Sequence, residues 1–303
     1  MNACAVANGP SWSDEAIAFN WERLRDRLPS GWLPVRVHDT ELTKRAVFDE
    51  FGCGSYGCVY ATREPDVVFK ATSDPTEADF ISLVQALKLR MPGVVRYHRI
   101  FLMDGLRKRD RVGARITHSA LYAIVRESAE EVGKMNEVQG VDRQQAQMVL
   151  GLLTSFKEIA SALRHGVQHL GEAFGRKAFS AQYPDDPEDH LLPAKAGDLR
   201  PSSRVRPAQV DLHLPEDWPD DRKGALAYQA LLVIARRMGR IPLGFWIGDA
   251  LSSLALKGLI LADVHSKNIG VVRRGADQAW VITDPGHMIR LNASLPRPVI
   301  QNL

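Results

Sequence analysis

Apolar residues recur at helical spacing from Ser13 to about Arg27, with Ile17, Phe19 and Leu24 as the apolar positions, before Pro29, Gly31 and Pro34 interrupt the pattern. Residues 1 to about 43 are therefore read as an N-terminal helical extension. From Ala46 the period shortens. AVFDEFG runs into a glycine-rich stretch, CVYATRE follows, Glu64-Pro65-Asp66 makes a turn, and VVFKAT is a further strand rich in β-branched residues. Asp74-Pro75-Thr76-Glu77 carries the marks of a helix start: a capping aspartate, proline at the first helical position and an acid in the first turn. That helix is predicted to run to about Arg90, with Phe80, Ile81, Val84 and Leu87 on one face. Two more strands, GVVRYHRIFL and SALYAIVRE, flank the charged segment GLRKRDRVG, which is read as a solvated hairpin tip.

The second half changes character. Val149, Leu152, Leu153, Phe156, Ile159 and Leu163 lie at helical spacing between Gln144 and about Gly166, and Gly224 to Met238 and Leu243 to Leu256 follow the same rule. Between them, from about 171 to 222, prolines and the acidic run DDPED predict a long, partly mobile insertion. After Lys257-Gly258, LILADVHSKNIGVV and AWVITDPG read as short apolar segments around a polar turn. The organisation expected is an extension (1–43), a β-rich unit with one helix (44–127) and a mainly helical unit (128–303).

Composition adds bounds rather than chemistry. Hydrophobic residues make up 45% of the 303, enough for a sizeable buried core, and the net charge of +3 gives no reason to expect nucleic acid as a partner. No apolar run reaches the roughly 18 residues of a membrane span, and the first residues lack the basic-then-apolar order of a secretory signal. A cytoplasmic protein without a membrane partner is expected. Cys4, Cys53 and Cys58 are too few for a disulfide framework, so the core is expected not to depend on bridges. The oligomeric state is not legible.

GCGSYGCVY, Gly52 to Tyr60, sets three glycines in a G-x-G-x-x-G-x-V frame. A dinucleotide site would need a helix directly after the glycines. Here a β-branched and aromatic stretch follows, so the glycines belong to a hairpin. Downstream, in chain order, stand Lys70 in VVFK, Asp263 and Asn268 in DVHSKN, and Asp284 in ITDPG. This set resembles the protein-kinase superfamily: a glycine-rich loop, a strand lysine, a D-x-x-x-x-N loop and a D-x-G metal motif. His265 makes the loop D-x-H-x-x-N, more similar to aminoglycoside and choline kinases than to eukaryotic protein kinases.

Over about residues 46 to 286 the resemblance implies an α+β, bilobal kinase-like fold, with an antiparallel β-sheet N-lobe bearing one helix and a mainly helical C-lobe with a truncated C-terminus. It implies ATP and Mg²⁺ as cofactors. Gly52, Gly54 and Gly57 would bring backbone amides to the phosphates, Val59 and Val68 would roof the adenine, and Lys70 would hold the α- and β-phosphates. Asn268 and Asp284 would supply oxygen ligands to Mg²⁺, and Asp263 would orient the acceptor hydroxyl or take its proton. Glu77 is placed either as the partner of Lys70 or as part of the helix cap, with Asp79 as the fallback partner. His265 is read as fixing the loop in preference to approaching the metal, and Cys53 and Cys58 as small lid residues in preference to a thiol switch.

Leu261 replaces the usual histidine two before the catalytic aspartate, Pro285 occupies the middle of D-x-G, and only a short segment follows Gly286, so no peptide-binding platform of the usual kind is expected. The implied function is an atypical, compact serine/threonine protein kinase of microbial or phage type, with a protein Ser or Thr hydroxyl as acceptor, its own included. A small-molecule kinase acting on an alcohol is the alternative, followed by a protein AMP-transferase and a nucleotide-binding pseudokinase.

Overall fold

The computed structural model describes residues 12–40, 45–54, 56–112, 115–132, 142–165, 191–192, 211–212, 220–274, 277–291 and 300. The described residues fall into two compact units, one within 1–89, 96–128 and 296–303, the other within 90–95 and 129–295.

The first unit begins with α1 (Trp12–Arg27) and a short hairpin, β1 (Arg36–Thr40) with β2 (Arg45–Phe48). Its main sheet contains β3 (Glu50–Cys53), β4 (Gly57–Ala61), β5 (Val67–Thr72), β6 (Tyr97–Val112) and β7 (Arg115–Glu127), antiparallel in the order β3-β4-β5-β7-β6. Helix α2 (Pro75–Ala86) joins β5 to β6. Pairing of Tyr60 with Phe69 and of Phe69 with Val125 sets these residues on one face, together with Cys58, Ala71 and Ala123. Helix α1 covers that face with Ala16, Ile17 and Leu24, all within one core that also holds Phe48, Phe101 and Met103. Each fully buried Ile or Leu contributes about 1.5–3 kcal/mol relative to exposure.

Helix α1 uses a narrower stripe than its composition suggests. Ile17 and Leu24 are fully buried, as is Asn20, whose amide donates to the Ala16 carbonyl, whereas Phe19 is 62% exposed. Phe19 lies two residues from Ile17, about 200° around the helix, so it cannot share that face. Helix α2 starts where expected, with the Asp74 carboxylate accepting from Thr76 N, but it stops four residues short of Arg90. Lys88 takes φ of 50°, and the Leu89 amide reaches back to the Val84 carbonyl at 3.0 Å, closing the end without a glycine to announce it. Strands β6 and β7 also run through the charged segment expected to be a tip, with Arg107 opposite Ala120 and Val112 opposite Arg115. An antiparallel ladder satisfies its backbone groups whatever the side chains, so charge alone does not end a strand.

In the second unit, α3 (Arg143–His165), α4 (Asp220–Gly239) and α5 (Phe245–Ala255) pack through Val149, Leu153, Phe156 and Ile159, through Leu231, Ile234 and Met238, and through Ile247, Leu251 and Leu254. A Cβ on Gly248 would lie 2.2 Å from Gly239 N, so glycine permits the close approach of α4 and α5. The helix expected from Leu243 begins with a 3₁₀ turn, Pro242–Gly244. Before α3 lies β8 (Glu130–Glu131); after α5 come β11 (Leu259–Leu261), β12 (Ile269–Arg274), β13 (Asp277–Ile282) and β14 (Met288–Arg290), paired as β13-β12-β8 and β11-β14. Of the expected insertion at 171–222, β9 (Leu191–Leu192), paired with β10 (Asp211–Leu212), and the start of α4 are described; its remainder lies outside the described residues. Among the described residues no helix is long and apolar enough to cross a membrane.

Candidate functional site

The glycine frame lies on the β3–β4 hairpin. Gly54 N donates to the Gly57 carbonyl at 2.8 Å, and the Tyr56 carbonyl accepts from Ser73 N at 2.7 Å and Ser73 Oγ at 3.1 Å, tying the tip back to the end of β5. Gly57 is demanded by packing: a Cβ there would fall 2.1 Å from the Ala71 carbonyl oxygen. Gly52 differs, since a Cβ on it would meet nothing within 4 Å. The chain's own packing therefore gives no reason for glycine at position 52.

Cys53 and Cys58 are joined by a disulfide across this hairpin, which corrects the reading of both as merely small lid residues. The cause is register. The two residues are directly opposed partners with Cα atoms 4.1 Å apart, a relation that spacing along the chain does not reveal.

Lys70 sits in the middle of β5, opposite Val59 on β4 and Ile124 on β7, so its side chain leaves the sheet on the face away from α1. Val68, two residues earlier, shares that face and is buried, while Val59 is half-buried. Lys70 Nζ lies 2.7 Å from Glu77 Oε2, with side-chain exposures of 8% and 0%. Of the two roles open to Glu77, the structure has the ion pair. The Asp74 amide that a capping glutamate would accept from donates instead to Thr72 Oγ1 at 3.1 Å. Asp79 stands near Tyr122, whose phenol burial raises above its ordinary pKa, with Asp79 and Asp74 adding to the rise. Arg126, opposite Val68, is also buried on this face, and its Nε and Nη1 have no hydrogen-bond partner among the described residues.

In the second unit, Asp263, Asn268 and Asp284 are brought together by the β12–β13 ladder. Ile269 pairs with Ile282, so Asn268 and Thr283 face each other just beyond it, and Thr283 N donates to the Asn268 carbonyl at 2.8 Å. Asp284 follows directly. Buried β11 delivers Asp263, and fully buried Val264 pins the chain between half-exposed Asp263 and His265. Asn268 Nδ2 donates to the Asp263 carbonyl at 2.7 Å, which fixes the amide and leaves its Oδ1 as the acceptor end. Asp284 Oδ1 accepts from Gly286 N at 3.3 Å. Asn268 and Asp284, at the paired ends of β12 and β13, are oxygen-bearing side chains of the type a small hard cation takes.

Lys157, on α3, was missed by sequence reasoning. Its Nζ is 3.1 Å from Asp263 Oδ1. The one available signal was that it is the only cationic residue of α3 between Arg143 and Arg164. His265 Nε2 lies 3.6 Å from the same oxygen, and its Nδ1 accepts from Lys267 N at 3.2 Å. Burial holds the imidazole below its ordinary pKa and the Lys157 charge lowers it further, against the opposing pull of Asp263. His265 is thus a neutral loop-fixing residue at pH 7, with its proton on Nε2.

No protein-family profile matches the chain, and no curated protein matches it. Among solved structures, a MAP kinase from Leishmania major aligns over 79% of this chain and 67% of its own at 12% identity and a TM-score of 0.25, a likeness too loose to carry an argument. Within the two units themselves, the chemistry is concentrated at a glycine hairpin beside a buried Lys–Glu pair, and at an Asp–Asn–Asp loop cluster flanked by a lysine.

Proposed function

We propose that this protein is an ATP- and Mg²⁺-dependent phosphotransferase that moves a phosphoryl group to a hydroxyl, the acceptor being a serine or threonine of a protein. The Lys70–Glu77 pair carries this assignment. A lysine withdrawn from water, paired with the buried Glu77 carboxylate and set on the same sheet face as Val59 and Val68 next to a glycine hairpin, is an expensive arrangement for stability alone. Its chemistry fits a polyphosphate: the ammonium meets α- and β-phosphate oxygens, Glu77 holds it in place, and open Gly52 lets the hairpin backbone approach the remaining oxygens.

The loop cluster of the second unit has chemistry of its own that suits the same reaction. When bound, Mg²⁺ offsets the charge of the phosphates; Asn268 Oδ1 and the Asp284 carboxylate are the groups that would hold it. Asp263 orients the acceptor hydroxyl and takes its proton as the hydroxyl oxygen attacks the terminal phosphorus, a contribution of about 10²–10⁴-fold. The Asn268 amide keeps the Asp263 backbone in position.

Intact mass after incubation with Mg-ATP, alone and with a host-cell extract, tests this. A gain of about 80 Da on this chain or on an extract protein, absent with Asp263→Ala and with Asp284→Ala, is the expected result. The heavier increment of a nucleotidyl group would replace the proposal with AMP transfer. No protein modification, but ATP consumption when small alcohols are added, would move the acceptor to a metabolite.

A further inference from the structure

We propose that Lys157 is a catalytic residue of the same reaction: its ammonium, presented by α3 beside Asp263, is the cation that the transferred phosphoryl group meets. This rests on the phosphotransferase reading and adds a residue that no kinase-like motif in the sequence contains.

Three observations carry it. First, Lys157 Nζ lies 3.1 Å from Asp263 Oδ1, so whatever Asp263 orients is also within reach of the ammonium. Second, both side chains are about one-third exposed, at 38% and 32%: open enough for a substrate to enter, yet not a pair free in solvent. Third, the helix that carries Lys157 is anchored on both sides of it. Phe156, Ile159 and Ala160 are fully buried, so the ammonium is delivered from a rigid element instead of a loop.

The loop's own lysine is placed differently from Lys157. Two residues after Asp263 stands His265, whose Nδ1 is occupied by the Lys267 amide and which carries no charge while it accepts that bond. Lys267 is exposed on the 3₁₀ turn Ser266–Asn268. Lys157, by contrast, lies in direct contact with the Asp263 carboxylate.

The step balances without another reactant. The acceptor oxygen forms a bond to the terminal phosphorus, the bond from that phosphorus to the bridging oxygen breaks, ADP leaves with the electron pair, and the hydroxyl proton passes to Asp263. Lys157 stays protonated throughout. It donates hydrogen bonds to the phosphoryl oxygens as negative charge spreads over them, so its stabilisation is greatest in the transition state.

The test is steady-state phosphate transfer from Mg-ATP, with self-modification and water as the acceptors assayed, on wild type, Lys157→Met, Lys157→Arg and Lys157→Met with Asp263→Asn. Thermal melting runs on every variant. The expected result is a kcat about 10²-fold lower for Lys157→Met with KM for ATP within about threefold, partial recovery for Lys157→Arg, and a double variant no slower than Asp263→Asn alone. A folded Lys157→Met enzyme that turns over within about threefold of wild type overturns the role of Lys157 while leaving the phosphotransferase reading intact. If Lys157→Met fails to melt cooperatively, Lys157→Arg decides: full activity with unchanged KM supports a charge requirement, and loss of activity together with loss of stability assigns Lys157 to the fold. A wild-type protein that transfers no phosphate from Mg-ATP to itself, to water or to any protein of the host-cell extract overturns both.

Discussion

Lys70 and Glu77 are nearly without exposure and meet as an ion pair at 2.7 Å. Glu77→Gln removes the carboxylate charge from this buried pair and should cost about 3–5 kcal/mol in chemical denaturation. Replacing both, as Lys70→Met with Glu77→Leu, should recover most of that stability while leaving no phosphate transfer. Recovery of activity in the double variant would separate the pair from function. Asp14 gives a second residue-scale prediction. Its burial raises the carboxyl above the ordinary range, and the bond from Tyr60 only partly opposes this. A raised folded-state value means that the folded chain holds the proton more tightly than the unfolded one. Stability then falls as pH climbs from the unfolded value, about 3.9, through the raised folded value. Asp14→Asn should therefore raise the melting temperature at pH 7 and leave it unchanged near pH 3. An equal gain at both pH values would show that packing, not ionisation, is responsible.

The β3–β4 hairpin contains two kinds of glycine with separable roles. Gly57→Ala drives a methyl into the Ala71 carbonyl and should lower stability by about 1–3 kcal/mol, lifting the hairpin from β5. Gly52→Ala meets empty space, so melting should be unchanged within about 0.5 kcal/mol while KM for ATP rises. An unchanged KM would remove position 52 from the nucleotide site. The same element carries the Cys53–Cys58 bridge across its two strands. Element by element, local patterns specify strongly where chemistry is local: the β-branched run of β5, the Asp74-Pro75 start of α2 and the apolar stripe of α3 all lie where their residues predict. They specify weakly where an element ends by backbone closure, as at Lys88, or where a ladder continues through charged residues, as in β6 and β7.

For the molecule as a whole, ligand linkage offers the broadest check. A nucleotide that binds only the folded state stabilises it by about 2.7 kcal/mol at a hundredfold excess over Kd. Mg-ATP should accordingly raise the melting temperature of wild type, and the shift should vanish in Lys70→Met. A shift of equal size in that variant would place the nucleotide elsewhere. The sequence by itself determined the glycine frame, the lysine strand, the capped helix and the order Asp263, Asn268, Asp284, because each is written in residue types a few positions apart. Only the tertiary structure decided that Cys53 faces Cys58, that Ile17 and not Phe19 meets the sheet, that Glu77 turns to Lys70 and not to the helix cap, and that Lys157 reaches Asp263. Those four facts depend on strand register, on helix phase and on contacts between residues as many as 106 positions apart, which no local pattern encodes.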